Sequence, residues 1–529
     1  MGKHKTKYAS GYRLIFGYLG IFLVFIGAIC LMPIIFLLPF YQNEANTSLS
    51  FVIPGVSSII IGLALFFLLI FRREKAQLGK FQDSILLVLI WVFAILICSV
   101  PFMLRGLGSG DMSYARSFSD SVFETASGFC TTGLTLFDFS EAAPGYHLFV
   151  FYRAILLLNG GVGLVLVVTS AISDRYGLKL YTAEGHNDKL MPNLAKSARM
   201  ILLIYLGYIT LGTLLFWIAG GMPIFDALCH SISAIATGGF STKAGGIMEV
   251  MQSTAANELG IHINTTMINI TAILLMILGA TNFVIHLLLF QGKWKKIAFD
   301  CEVRFFGFCA VIFIPLFFVS VFMQNQLELN WVQSLKEGTY LFFTSISTTG
   351  FNLSEITKLG NMSLVLITIL MFVGGATSST AGGIKHYRVV LCFKGIYWSV
   401  RDKLAPKNKM FPHQIRHFGV RSEISSAELY EAFGYAFLYM LVVFAGTGVI
   451  VGISGGRIEM FNALFEFTSA LSSTGLSVGV TNLSAEVVPH IVAVRWVLVA
   501  GMFLGRLEIT VIHFAFVRVF RDMFRLETV

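Results

Sequence analysis

Four short segments of this 529-residue chain carry residue types able to strip a cation of its water. They read SGFCTTGLT, SAIATGGFS, SISTTGFN and SALSSTGLS. Aligned on Gly133, Gly239, Gly350 and Gly475, the two residues before the glycine are Thr131-Thr132, Thr237-Gly238, Thr348-Thr349 and Ser473-Thr474, and the residue after it is Leu134, Phe240, Phe351 or Leu476. Six residues before the glycine stand Ser127, Ser233, Thr344 and Ser469. A dehydrated cation needs oxygen ligands in place of its hydration shell, and rings of backbone carbonyls supply them without net charge. Extended T-T-G backbone points carbonyls at an axis, while glycine opens conformations closed to other residues and removes bulk where four chains converge.

Such segments need elements that hold them. Thirteen residues before the four glycines stand Asp120, Asp226, Glu337 and Asn462, all able to accept hydrogen bonds from the free N–H groups that begin a helix. A helix of about ten residues, roughly 15 Å long, would then run to each glycine turn and aim its negative carbonyl end at the pore centre, favouring a cation. Between and around these segments lie ten apolar runs long enough to span a bilayer: about 14–40, 51–71, 82–104, 146–173, 200–220, 263–290, 304–323, 361–398, 427–453 and 487–518. The glycines lie 106, 111 and 125 residues apart, each between two runs. The expected fold is therefore an all-α polytopic membrane protein of four tandem span, pore-helix, span repeats around one pore. The divisions expected are an N-terminal two-span extension over 1–80 and pore repeats over 81–180, 181–298, 299–420 and 421–529, giving ten spans and four re-entrant segments.

Composition agrees with this reading and excludes others. The chain is 56% hydrophobic and only 13% charged, with a mean hydropathy of +0.77, too little charge to solvate several soluble domains. The net charge of +9 could suggest a nucleic-acid partner, but its placement does not: 29 of the 38 Lys and Arg fall in alternate connecting segments. Basic residues stay on the cytoplasmic side, so both termini are expected inside and all four glycine turns outside. The apolar run after the N-terminal basic cluster is too long for a signal peptide and reads as an uncleaved anchor. Seven scattered cysteines form neither a disulfide framework nor a zinc site. H-E-x-x-H and paired acids within spans are missing, so no enzyme and no cofactor is expected. His230 and His286 read as packed or capping residues.

The eighth run is interrupted by FVGGATSSTAGGIKHYR, where Gly374, Gly375, Gly382 and Gly383 bracket small hydroxyl residues. At roughly 1 kcal/mol per glycine against alanine, an unbroken helix is disfavoured and a loop at mid-membrane depth is expected. The spacing of a phosphate loop is not met. Isolated glycines such as Gly452 and Gly455 read as helix-packing residues. Arg506, deep in the last run, is either part of an ion pair, with Glu508 or a residue of another span, or a positive charge near the permeation path.

With the fourfold T-T-G pattern, the glycine-broken eighth run and G-R-L-E in the last, the chain resembles the TrkH/KtrB/HKT superfamily of potassium transporters, and its two extra N-terminal spans make it most similar to the TrkH branch. The resemblance covers essentially the whole chain. It implies potassium uptake, by channel-like conduction or by symport, across a bacterial inner membrane, and a homodimer with a cytosolic nucleotide-binding regulatory subunit of the TrkA type. It also implies a potassium-binding filter at Thr131, Thr132, Gly133, Thr237, Gly238, Gly239, Thr348, Thr349, Gly350, Ser473, Thr474 and Gly475, and gating elements at Gly374, Gly375, Gly382, Gly383 and Arg506. Sodium-selective relatives replace the first filter glycine by serine, whereas Gly133 is glycine. Gly238 departs from the threonine of the other three repeats, and a sodium or mixed-cation transporter of the same fold is the alternative. The basic stretch 385–424 is expected to dock the regulatory subunit, with anionic lipid contact the alternative account of its charge, and membrane lipid is the remaining expected partner.

Overall fold

The computed structural model describes residues 8–9, 11–71, 74–75, 82–108, 114–137, 143–163, 194–253, 256–324, 329–406 and 411–524. The extreme N-terminus, the region dividing the first expected repeat from the second, and the last five residues lie outside them.

The chain is helical almost throughout. Helices α1 (Tyr12–Leu37) and α2 (Leu49–Leu69) are apolar on every side and meet along a glycine seam. A Cβ on Gly20 would lie 2.6 Å from the carbonyl oxygen of Gly62, and Gly27 faces Gly55 in the same way. Small residues let backbones approach where lipid offers no hydrophobic driving force. Helices α3 (Gln82–Gly108) and α4 (Tyr114–Phe129) follow, then α5 (Tyr146–Val162) and α6 (Leu194–Leu214), which tightens into a π turn over Leu215–Ala219. Next come α7 (Ile224–Ile235), the short α8 (Gly246–Met251), α9 (Thr265–Ala280), α10 (Phe283–Phe290) and α11 (Trp294–Ala298). The second half comprises α12 (Cys301–Gln324), α13 (Trp331–Ile346), α14 (Gly360–Val373), α15 (His386–Leu404), α16 (Ser426–Ser454), α17 (Met460–Leu471), α18 (Ile491–Arg506) and α19 (Ile509–Phe524).

Among the described residues, six helices are long and apolar enough to cross a membrane, and two bent pairs qualify if each counts as one span: α9 with α10 at 111°, and α18 with α19 at 99°. The fourth apolar run is helical as far as Val162. The eighth is split, as its glycines predict, into α14 and α15 with residues 374–385 non-helical between them.

Strand content is slight. Tyr8–Ala9 (β1) pairs in parallel with Glu74–Lys75 (β2), and Gln414–His417 (β3) pairs antiparallel with Val420–Glu423 (β4). The β3–β4 turn places Phe418 at φ 50° and Gly419 at φ 83°, the two left-handed residues a tight hairpin requires.

The four short helices α4, α7, α13 and α17 end at the four glycine turns, but they are longer than expected. At 12 to 16 residues they measure roughly 18–24 Å. Asp226 and Asn462 do sit in the first turn of α7 and α17, yet neither is a cap residue. Asp120 and Glu337 are each the seventh residue of a helix that starts earlier, α13 being opened by an Asn330–Gln333 capping box. The capping expectation fails there because helix-forming sequence continues upstream. The packing reading of two glycines fails as well: Gly452 faces open space, and Gly455 is the left-handed cap that ends α16.

Candidate ion pathway

Each glycine turn has the same backbone. Thr131, Thr237, Thr348 and Ser473 lie at φ 52°, 49°, 52° and 55°, and the glycines two residues on lie at φ 92°, 71°, 85° and 81°. Left-handed conformations in non-glycine residues cost on the order of 1–3 kcal/mol and persist only where the surroundings enforce them. Here the enforcement is visible. The N–H groups of Thr132, Gly238, Thr349 and Thr474 donate to the carbonyls of Ser127, Ser233, Thr344 and Ser469 at 2.9, 2.9, 3.0 and 2.9 Å. The Ser/Thr positions six residues before each glycine thus anchor the turns through their backbone, and Ser127 Oγ also accepts from Gly133 N at 3.1 Å.

The four turns close on one another. A Cβ on Gly133 would strike the carbonyl oxygen of Gly238, one on Gly239 that of Thr349, one on Gly350 that of Thr474, and one on Gly475 that of Thr132. Each glycine therefore touches the carbonyl of the next turn in order, and the fourth returns to the first. That cyclic contact explains glycine at all four places: any side chain would displace a neighbouring carbonyl. Gly238 has its own reason, since Leu157 of α5 occupies the space a side chain would take. On one side the ring opens into a cavity of about 440 Å³ lined by all four glycines.

On the other side the ring is floored by the segment between α14 and α15. Gly382 N donates to Thr348 Oγ1 at 2.8 Å, and Thr237 Oγ1 donates to Thr380 Oγ1 at 3.1 Å. A Cβ on Gly382 would strike the Ser472 carbonyl. The segment is also braced against the end of α9, where Ala376 N donates to Ala280 O at 3.0 Å, and against the start of α12, where Thr377 N donates to Glu302 Oε1 at 2.8 Å. The cavity remaining between segment and ring, lined by Gly382, Gly383, Ser473 and Arg506 among others, measures about 20 Å³, little more than one water requires. The cavity on the opposite side is about 440 Å³, so the ring faces a wide space on one side and a nearly filled one on the other.

Arg506 is part of the packing beneath the ring. Its guanidinium donates to Thr380 O at 2.9 Å, to Gly161 O at 3.0 Å and to Gly160 O. It thus ties the segment to the C-terminal end of α5, where the helix dipole favours positive charge. Glu508 is not its partner. That carboxylate pairs with Arg388 of α15 through two bonds of 3.2 and 2.9 Å, so the ion pair considered from sequence joins other residues.

Several functional residues escaped sequence reasoning. Lys385, at φ 82°, sends its amine back to the Ala381 carbonyl and lines the small cavity with Arg506, placing a second cation beneath the ring. Arg153 and Arg495 pair with Glu124 and Asp120 at 3.0 Å each. Nine residues before the turn glycines stand Glu124, His230, Leu341 and Glu466, and two after them Thr135, Ser241, Asn352 and Ser477. Three of these pairs join: Thr135 Oγ1 to Glu124 at 2.9 Å, His230 Nε2 with Ser241 Oγ at 2.9 Å, and Ser477 Oγ to Glu466 at 2.7 Å. The same alignment that found the turns, extended to these offsets, would have shown the braces. His230 and His286 are packed as expected, the latter's Nδ1 lying 3.0 Å from Tyr208 Oη.

Comparison with known proteins agrees with this arrangement. The family model described as "TrkH: Cation transport protein" matches residues 47–524. An uncharacterized cation transporter of Methanocaldococcus jannaschii is 28% identical over 511 residues, covering 96% of each chain. The Trk system potassium uptake protein TrkH of Salmonella typhimurium is 28% identical over 448 residues, 83% of this chain and 85% of that one. The crystal structure of the potassium transporter TrkH from Vibrio parahaemolyticus superposes with a TM-score of 0.77 at 22% identity, covering 95% of this chain and 97% of that one.

Proposed function

The chain belongs to the TrkH family of cation transport proteins, and from that premise we propose that it carries potassium into the cell through the ring of turns, gated by the segment beneath it. It is a multi-pass membrane transporter, not an enzyme. The observation that carries the reading is the cyclic contact of four glycines with four neighbouring carbonyls. A potassium ion sheds its water at the ring and exchanges it for carbonyls of the turns at 131–133, 237–239, 348–350 and 473–475. The carbonyl ends of α4, α7, α13 and α17 add negative potential at the same place. Below, residues 374–383 and Arg506 obstruct the path, and Lys385 and Arg506 repel an entering cation in a setting where water screens little.

The basic face formed by α15 and the β3–β4 hairpin receives a cytosolic nucleotide-binding regulatory subunit of the TrkA type, and the transporter works as a homodimer in a bacterial inner membrane with both termini inside. Relatives described as Trk system potassium uptake proteins support this reading. Uptake of potassium, rubidium, sodium and lithium into proteoliposomes tests it. Potassium and rubidium should be preferred; equal or greater sodium uptake would establish the sodium or mixed-cation alternative. Repeated pull-downs from native membranes that yield no soluble nucleotide-binding subunit would exclude the regulatory partner.

A further inference from the structure

One cavity lies away from the ring of turns. It measures about 940 Å³ and is enclosed by the start of α12, the outer flank of α15 and the β3–β4 hairpin. Its wall has two characters. Phe305 and Phe308 of α12 and Phe393 of α15 form one part; Phe308 and Phe393 are each 62% exposed, and α12 is long and apolar enough to cross a membrane. Arg304, Lys394, Arg416 and Arg421 form the other, and among the described residues no acidic side chain lines the cavity. The described ion pairs of this face join Arg388 to Glu508, Arg401 and His413 to Asp402, and His417 to Asp300, and none includes these four cations. Two of the cations crowd one ring: the Arg304 guanidinium lies 4.6 Å and that of Arg416 4.9 Å from the centre of Phe299. Among the described residues, positive charge is gathered here without an ion-pair partner for these four cations.

The hairpin wall is held in place. Asp300 Oδ2 accepts from Phe418 N at 2.8 Å and lies 3.0 Å from His417 Nδ1, so the guanidinium of Arg416, one residue before His417, starts from a fixed backbone. Guanidinium groups recognise phosphate oxygens through charge-assisted bonds, and a basic cluster beside a membrane helix attracts anionic lipid. A soluble phosphate would use the cations and leave the aromatic wall bare.

We propose that this cavity is a binding site for one anionic phospholipid, its phosphate among Arg304, Lys394, Arg416 and Arg421 and an acyl chain along Phe305, Phe308 and Phe393. The proposal rests on the chain spanning a membrane, not on which ion it carries, so a failure of ion selectivity leaves it intact.

The test reconstitutes the full chain into phosphatidylcholine vesicles with and without phosphatidylglycerol, re-extracts it in mild detergent and counts retained phosphatidylglycerol by mass spectrometry. The wild type should retain about one phosphatidylglycerol per chain, and a variant combining R304Q, K394Q, R416Q and R421Q about tenfold less. A control of equal charge loss, R13Q with K293Q, K295Q and K403Q, removes exposed cations outside the cavity and should retain lipid like the wild type. Replacing Phe308 and Phe393 by alanine should also lower retention while cation uptake persists, which shows the protein is folded. Equal loss in the cavity variant and the control would mean general attraction to a charged surface and overturn the site. Displacement of phosphatidylglycerol by inorganic phosphate would reduce it to a soluble-anion site. No retained lipid in any protein, with an oligomeric state that changes in the cavity variant, would mean that a second copy covers the cavity and would overturn it equally.

Discussion

Around Gly133, Gly239 and Gly475 a side chain of the short helix reaches back to hold the strand that leaves the turn, whereas around Gly350 the same position is Leu341. Glu124, His230 and Glu466 each bond the hydroxyl two residues past their glycine. In the third turn Asn352 instead bonds the Ser354 carbonyl within its own loop, at 3.0 Å. The helix that follows the third turn is also the one broken into α14 and α15. The interrupting segment holds the third turn directly, through Gly382 N and Thr348 Oγ1. Three quarters of the ring are thus pinned from behind, and the remaining quarter is held from below by the segment between α14 and α15. That segment also meets the second turn through Thr380 and Thr237, so the difference teaches that the third quarter alone relies on it in place of a brace.

Removing a brace should break this comparison most severely. Glu124 is fully buried and 3.0 Å from Arg153, which stacks over Phe240 at 4.0 Å. Glu124→Gln leaves that guanidinium without its carboxylate, and removing one partner of a buried pair costs about 3–5 kcal/mol. A fall in the detergent-solubilised unfolding midpoint is expected, with loss of ion discrimination in the folded fraction. Leu341→Met at the equivalent place keeps volume and polarity and should cost less than about 1.5 kcal/mol. Equal destabilisation by the two would remove the distinction between braced and unbraced quarters.

The turns were legible in sequence because their signal is local: a glycine, two hydroxyl residues and an anchoring Ser or Thr recur within seven residues. The broken eighth helix was legible for the same reason. The ion pairs were not, because their partners are distant in the chain. Glu124 and Arg153 are 29 residues apart, Arg388 and Glu508 120, and Asp120 and Arg495 375. Only the packed bundle brings them together. The starts of α4 and α13 were misjudged because an acidic residue in a helix interior looks, in sequence, like one at its beginning. Here Asp120 serves Arg495 instead of an N-terminus.

A second test acts on the ring itself. Gly350→Ser places a Cβ against the Thr474 carbonyl in the quarter that lacks a brace, so the turn should yield and the carbonyl move. The expected result is a loss of potassium over sodium preference of about tenfold, equivalent to roughly 1.4 kcal/mol, measured as the flux ratio in proteoliposomes. Gly133→Ser meets the Gly238 carbonyl and should act in the same direction. Unchanged ratios in both would show that these carbonyls are not the selecting ligands.

The floor should respond differently from the ring. Arg506→Ala removes three bonds that tie the Thr380 carbonyl to the end of α5, and deleting Ser378–Thr380 shortens the segment that fills the path. Both should raise flux in the absence of a regulatory subunit by a few-fold, within about 1 kcal/mol of gating free energy, while ion ratios stay near the wild type. Loss of flux in well-folded protein would mean that the segment supports the ring instead of closing it. A changed ion ratio would mean that the hold on Thr348 sets selectivity as well.

The smallest effect is expected at the far end of α15, where the hairpin is fastened to the start of α12. A regulator that draws the floor aside through α15 works against this fastening, so its strength bears on how freely the third repeat moves. Burial opposes charge on His417, yet its hydrogen bond with Asp300, aided by Cys301 and the nearby Glu302 and Asp300 carboxylates, outweighs burial and holds the imidazolium up to about 10. Burial would raise Asp300 too, but the bonds from His417 and from Phe418 N hold it below the ordinary carboxylate range. The signs follow from linkage. The contribution of His417, whose folded value is raised, is complete below its ordinary value near 6.5 and is lost as pH climbs toward about 10. That of Asp300, whose folded value is depressed, is present above its ordinary value near 3.8 and is lost only as pH falls below it. Hydrogen exchange of the 414–423 hairpin amides, corrected for intrinsic rates, should therefore show protection falling between pH 7 and pH 10. His417→Gln should be less protected at pH 7 and lack that decline. A decline of equal size in His417→Gln would place the titrating group elsewhere and leave the fastening independent of this pair.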